Sequence, residues 1–342
     1  MISLLRSLLA AVEGRPYTLP ADVDDQQVLT VARRHRLTPL LSLRAAPATM
    51  PSLAEAFRRD RLITTARNAV LAQVALECAS AFSGAGIETV LLKGLAYNAT
   101  LYDAPGLRPT SDVDVLVPGD ARRAAFGVLD KLGFEPRAAA PGFDDADYHE
   151  VAWTRQTVEV DLHLALAPLA RCRIDYDDVW GSIRRVDSGE VRGATLHPRH
   201  AAVFHALHMA MDHFDVPALY LLDFSRLLPG PDEREQAAAL ARAWRCWRPF
   251  ATTVALTAAF LPDWAGAQGA PVVAAFSRRV VDHYGAAARV PRREQLIRKL
   301  AHFDTPGDAV GYLAVQARRN VRELWERRVR RRPARQRLAL GR

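Results

Sequence analysis

Two aspartates, Asp112 and Asp114, lie one residue apart in the run RPTSDVDVLV at 108–117. Val113, Val115 and Val117 around them favour a strand, because branched side chains fit a pleated surface. In a strand, residues i and i+2 share a face, so the two carboxylates stand side by side. Left bare, they repel, and one is driven toward protonation. A divalent cation removes that conflict, and hard cations such as magnesium take carboxylate oxygens. The plain alternative is a strand with one wet face.

Other groups fall close to this pair. Lys93 and Gly94 directly follow the apolar run IETVLL (87–92) and precede the helical-looking KGLAYNATLYD. Arg108 and Ser111 stand just before Asp112. Asp161 lies in TVEVDLHLAL (157–166), with Glu159 and His163 at alternating positions. These three share a strand face, so any of them could join the first pair. Three carboxylates on adjacent strands can hold two metal ions. One ion activates an attacking oxygen, and the other steadies a triphosphate and its leaving pyrophosphate. A glycine ahead of a helix lets the backbone approach phosphate, and the helix start adds unpaired N–H donors. Lysine and arginine neutralise charge on the leaving group. The conjunction predicts nucleotidyl transfer.

Lysine is rare in this chain, three residues against 43 arginines, so Lys93 stands out. Arg108 could equally brace its own loop by pairing with Asp103. His163 reads as a supporting group beside the acids. His205, His208, His213 and Asp223 read as packing or capping groups, or as edges of an acceptor pocket. Asp223 sits inside the apolar LYLLDFSRLL, within reach of Arg226 or a histidine of the preceding helix.

The elements that must position these groups follow from the pattern. Residues 1–84 read as helical: an amphipathic helix at the start, with a signal peptide disfavoured, then a helix broken at Pro39, then a long helix ending at Gly84 or Gly86. Strands are expected at 87–92, 112–117, 148–155 and 157–166, the last two as a hairpin. A helix over 119–132 stops at Gly133. RVDSGEVRGATLHP reads as a connector, and helices follow, including one within 271–302 and a basic one that frays after Pro333. The expected fold is α+β. A small mixed sheet forms an α/β core at 85–170, between an N-terminal helical arm (1–84) and a C-terminal helical bundle (171–317), followed by a basic tail (318–342).

Composition fits an ordinary globular chain of 342 residues, 49% hydrophobic and 25% charged. No stretch approaches the roughly 18 uninterrupted apolar residues of a membrane helix. Cys78, Cys172 and Cys246 match neither a disulfide framework nor a zinc motif, and a cytoplasmic setting is expected. From Arg318 to Arg342, eleven arginines stand against Glu323 and Glu326, a net of +9, while the total is +8. The tail is thus a handle for RNA, a contact for an anionic surface, or a solvated helix end.

The run VLLKGLAYNATLYDAPGLRPTSDVDVLV followed by TVEVDLHLAL resembles the uncharacterised nucleotidyltransferase family of the polymerase-β-like superfamily. Its marks are LKG…Y…RPxSDxDxLV and the later xxDLH, and HALHMAMDHF…LYLLDFSRLL looks like the family's helical segment. The resemblance implies transfer of NMP from an NTP with Mg²⁺, or Mn²⁺ in its place, to a hydroxyl or phosphate of an unidentified acceptor. It implies Asp112 and Asp114 as paired metal ligands and Asp161 as third carboxylate, a ligand or general base. It implies Gly94 as the nucleotide-loop glycine, with Lys93 and Arg108 near the phosphates. The loop reads Lys93-Gly94-Leu95 where the wider superfamily has Gly-Gly or Gly-Ser, so a serine hydroxyl contact to phosphate is missing there unless Ser111 or Thr110 supplies it. The acceptor is not inherited with the fold: a small molecule, a peptide, a sugar or a tRNA fits, and so does a non-catalytic nucleotide-binding scaffold.

Overall fold

The computed structural model describes residues 1–44, 50–137, 149–168, 171–188, 191–265, 280–281 and 291–330. Helix α1 (Ile2–Val12) buries Leu4, Leu5, Leu8, Leu9 and Val12, the apolar stripe of an amphipathic helix. Helix α2 (Asp25–Arg34) starts with a reciprocal cap. The Asp24 carboxylate accepts from Gln27 N at 2.7 Å, and Gln27 Oε1 accepts from Asp24 N at 2.9 Å. The chain turns at Arg36, in the left-handed region with φ 58, and restarts as α3 (Thr38–Arg44) with Pro39 in its first turn. The 31-residue α4 (Ala54–Gly84) follows and stops just before Gly86, whose φ is 72.

The core then alternates. Strand β1 (Val90–Leu91) leads into α5 (Lys93–Leu101), β2 (Val113–Leu116) and α6 (Arg122–Lys131). Strands β3 (Glu135–Pro136), β4 (Glu150–Arg155) and β5 (Val158–His163) complete the central unit. After α7 (Tyr176–Gly181), the segment expected to be a connector forms a hairpin, β6 (Arg184–Asp187) and β7 (Arg192–Thr195). Its strands are short and arginine-rich, with mostly exposed residues, so they lack the apolar alternation that marks a strand in sequence. The partner supplies the order: β7 pairs in parallel with β1 through Leu91 and Thr195, and the Thr195 hydroxyl donates to Leu91 O at 3.0 Å.

All seven strands form one mixed sheet in the order β3-β4-β5-β2-β1-β7-β6. The pairs β2–β5 and β1–β7 are parallel and the others antiparallel. This is the α+β architecture with helical flanks that the sequence predicts, on a wider sheet. One face, carrying Val113, Val115, Val160 and Leu162, packs on α4 and α6. The other face, with Val90 and Leu116, packs on α8 (Pro198–Met211). Helices α9 (Leu219–Leu227), α10 (Pro231–Ala243), α11 (Trp247–Phe260) and α12 (Pro262–Ala265) follow. A third apolar cluster joins Leu4, Leu5 and Leu8 of the N-terminal arm to Leu219 and Leu222 of α9 and Leu256 of α11. Arm and C-terminal helices thus close on each other across the sequence.

Helices α13 (Arg292–Ala301) and α14 (Pro306–Arg330) end the described chain. The expected helix over 271–302 falls partly, and the tail beyond Arg330 with Pro333 wholly, outside the described residues. Among the described residues, no helix is long and apolar enough to cross a membrane.

Candidate active site

Strand register brings the acids together. Asp114 pairs with Asp161 across β2 and β5, with Val113 opposite Val160. Because Val113 and Val115 point into the core on one side, Asp112 and Asp114 project from the other. The same alternation sets Glu159, Asp161 and His163 on that face of β5. Oxygens of Asp112, Glu159 and Asp161 lie within 4.8 Å of one another, and all three residues are half-buried.

Asp114 is turned aside from this group. Its Oδ1 meets Lys93 Nζ at 3.0 Å and accepts from His163 Nε2 at 3.1 Å, and its side chain is only 2% exposed. Burial opposes the charge on Asp114, but Lys93 and His163 outweigh it and hold the carboxyl well below the usual carboxylate range. Burial likewise opposes the Lys93 ammonium, and Asp114 outweighs it, so Lys93 keeps its proton more tightly than a free lysine. The converging trio holds Glu159, one of the groups the sequence left open, beside Asp112 and Asp161, with Asp114 adjacent in the strand register. Glu159 also accepts from Arg137 Nη1 at 2.7 Å at the open rim.

The other acids are in the opposite condition. Burial, and then the charge of Asp114, push Asp161 up to about 7. Burial and Asp114 also raise Asp112, against the pull of Lys93 and Ser111. Half-buried carboxyls without a neutralising partner titrate in this way, and a bound cation reverses it.

The turn before α5 lies beside the acids because Leu92 N donates to Asp114 O at 3.0 Å. Lys93 takes φ 35, a left-handed value that non-glycine residues rarely adopt. Gly94 follows with φ 5 and ψ −96. A Cβ on Gly94 would sit 2.7 Å from Thr110 Cγ2, closer than such atoms approach. Only glycine fits there, which gives the Lys93-Gly94 pair a steric reason.

The turn opens a helix whose start has no side-chain cap. Regular helical backbone begins only after the kink at Gly94. Ser111 is exposed at the mouth, its carbonyl held by Arg67 Nη2 at 2.9 Å.

Arg108 is placed differently from the phosphate-facing role drawn from the sequence. Its guanidinium is buried and pairs with Asp223 of α9 at 2.8 Å. The partner is neither Asp103 for Arg108 nor Arg226 for Asp223. Sequence spacing could not show this pairing, since the two residues are 115 apart. The signal that was available is a lone carboxylate inside an apolar helix, which must find a cation when buried.

The C-terminal helices reach the site through Phe204, whose ring centroid lies 5.8 Å from Lys93 Nζ and 6.0 Å from the His163 ring. His208 stacks on Tyr220 with centroids 5.9 Å apart and meets Asp212 at 3.4 Å. Buried His205 contacts Tyr220 O at 2.9 Å through Nε2.

Residues 21–262 match the sequence model of a family described as uncharacterised nucleotidyltransferase. The chain belongs to that family. No curated protein matches it. Among solved structures, this nucleotidyltransferase is similar to the crystal structure of ANT(2")-Ia in complex with adenylyl-2"-tobramycin, at 12% identity and a TM-score of 0.37, over 50% of this chain and 97% of that one. A solution structure of the antibiotic-resistance factor ANT(2'')-Ia gives 13% identity and a TM-score of 0.37, over 50% of this chain and 91% of that one. An antigenic nucleotidyltransferase-like protein from Paracoccidioides brasiliensis gives 14% identity and a TM-score of 0.31, over 51% of this chain and 87% of that one.

Proposed function

We propose that this nucleotidyltransferase moves NMP from an NTP to a hydroxyl or phosphate oxygen of a separate acceptor, with Mg²⁺ as its cofactor. The observation that carries the reading is the convergence of Asp112, Glu159 and Asp161 oxygens within 4.8 Å, beside the Lys93-Gly94 turn. All-oxygen donors suit Mg²⁺, and Mn²⁺ as a substitute. Burial and the charge of Asp114 raise both Asp112 and Asp161, and a cation held by them would offset this. Asp112 and Asp161 would hold the ion, with Glu159 in reach and Asp114 next to them. When bound, it supplies charge that steadies the triphosphate and makes the acceptor oxygen a better nucleophile.

The residues do the rest. The N–H groups of the Lys93-Gly94 turn and the Ser111 hydroxyl hold phosphate oxygens. Lys93 exchanges its partner Asp114 for a phosphate, which leaves Asp114 free to turn toward Asp112 and Asp161. The acceptor oxygen attacks the α-phosphorus, and the bond to the β-phosphate oxygen breaks with release of pyrophosphate. Asp161 faces the acceptor and takes its proton. His208, Tyr220 and Asp212 of the C-terminal helices would shape the acceptor side, with a small molecule, peptide or sugar as occupant.

The test is calorimetric binding of ATP, GTP, CTP and UTP, with and without Mg²⁺, to wild type and to Asp112→Asn/Asp114→Asn. One nucleotide should bind only with Mg²⁺, and the variant should lose it. No binding of any nucleotide by wild type would overturn the reading.

A second reading rests on the net +9 of residues 318–342. In it the acceptor is tRNA, held through phosphate contacts by the tail. Removing the residues after Val315 should then weaken tRNA binding steeply and reduce its salt dependence. Unchanged binding would exclude it.

A further inference from the structure

Arg108 and Asp223 form a buried ion pair between the core and the C-terminal helices, with side chains 4% and 0% exposed. Nε lies 3.1 Å from both carboxylate oxygens, and Nη2 donates to Oδ2 at 2.8 Å. The Tyr102 hydroxyl donates to Asp223 Oδ1 at 2.7 Å. Tyr97 and Tyr220 flank the guanidinium, with ring centroids 5.4 Å and 6.0 Å from its carbon. The backbone of Arg108 is fastened as well, because Asn68 Nδ2 of α4 donates to its carbonyl at 2.9 Å.

The remaining nitrogen, Nη1, faces the nucleotide turn. It lies 3.4 Å from Gly94 O and 3.5 Å from Thr110 Oγ1, the residue against which Gly94 is packed. Both contacts are long for hydrogen bonds, so they act chiefly through charge and direction.

We propose that Arg108 and Asp223 are positioning residues: the pair holds the Lys93-Gly94 turn in the shape that receives the triphosphate, without touching the nucleotide. This rests on the reading of that turn as the nucleotide site. A buried ion pair is weak evidence for a stabilising role, since apolar groups of similar volume stabilise a core as well or better. What an apolar pair lacks is the planar fork, which fixes three directions at once. Two of them lie on Asp223, and one lies on the turn. The turn needs such a restraint, because the left-handed backbone at Lys93 persists only where surrounding contacts enforce it. Helix α9 thereby becomes part of the nucleotide site, although its carboxylate lies behind the reacting groups.

Single removal of either partner leaves a buried charge unpaired and disturbs folding. The double variant Arg108→Met/Asp223→Leu removes both charges and separates stability from positioning. The readouts are melting temperature, Mg²⁺-dependent binding of the four NTPs, and amide hydrogen exchange over residues 92–98. The double variant leaves the Tyr102 hydroxyl without its acceptor, so it should melt a few degrees below wild type while staying folded, bind its nucleotide about tenfold or more weakly, and exchange faster at the turn. Wild-type affinity with wild-type exchange would overturn the proposal, as would weakened binding with unchanged exchange. Arg108→Lys, which keeps the charge and gives up the fork, carries the same two readouts if the double variant does not fold. If wild type binds no nucleotide, the functional reading falls, and the exchange measurement still decides whether the pair shapes the turn.

Discussion

Asp114 and Asp161 sit directly opposite each other in the parallel pairing of β2 and β5, yet they hold opposite electrostatic states. Asp114 is neutralised by Lys93 and His163 and lies well below the usual carboxylate range. No ion pair among the described residues involves Asp161, and burial with the Asp114 charge raises it to about 7. One register thus yields an anchored carboxylate and a neighbour that holds its proton more tightly.

Mg²⁺ should therefore stabilise the protein through the converging acids. At one hundred times its Kd, a ligand specific for the folded state contributes about 2.7 kcal/mol. Thermal melts with and without Mg²⁺ should show a rise in Tm for wild type and none for Asp112→Asn/Asp161→Asn. An equal rise in both would place the ion elsewhere.

Lys93→Ala should weaken the fold as well as nucleotide binding. It leaves Asp114 with His163 alone in a nearly dry position, and breaking a buried pair from one side costs about 3–5 kcal/mol. Adding Asp114→Asn should recover much of the stability and none of the nucleotide binding. Urea unfolding of the single and double variants measures the first effect, and calorimetry the second.

Gly94→Ala should be destabilising by about 1–3 kcal/mol, because its new methyl group runs into Thr110 Cγ2. Thr110→Ser removes that methyl and keeps the hydroxyl. The double variant Gly94→Ala/Thr110→Ser should therefore regain most of the lost stability. If it melts like Gly94→Ala alone, the close contact is not the reason for glycine.

His35 makes stability depend on pH. Its Nδ1 accepts from Ala218 N at 3.1 Å, and its carbonyl accepts from Leu219 N at 3.2 Å, so it ties the N-terminal arm to α9 in neutral form. Burial, with the charge of Arg34, lowers it from 6.5 to about 4. A lowered folded-state value means that stability is fully present above pH 6.5 and is lost as pH falls toward 4, by about 3 kcal/mol. His35→Asn keeps an acceptor for the amide and does not titrate in that range. Denaturant unfolding at pH 7.5 and 4.5 should show a smaller drop for the variant than for wild type. An equal drop would assign the pH dependence to other groups.

The sequence by itself determined the parts whose cause is local. Alternation of valine and aspartate in 112–117 made one face of β2 apolar and the other acidic. The same period in 157–166 sets Glu159, Asp161 and His163 on one face. Helical spacing of leucine marked α1, and Gly84 with Gly86 marked the end of α4. These follow from side-chain periodicity and turn chemistry, which need no distant partner.

Tertiary structure decided whatever depended on a neighbour far along the chain. The β6–β7 hairpin has no strand pattern of its own and is ordered by pairing with β1. Asp114, identical in type to Asp112, became the neutralised partner of Lys93 and His163, while Asp112 converges with Glu159 and Asp161. Arg108 faces Asp223 because α9 packs behind the nucleotide turn, and a buried charge takes the nearest opposite charge whatever their separation in sequence. Periodicity shows which face a side chain occupies, and only packing shows what it meets there.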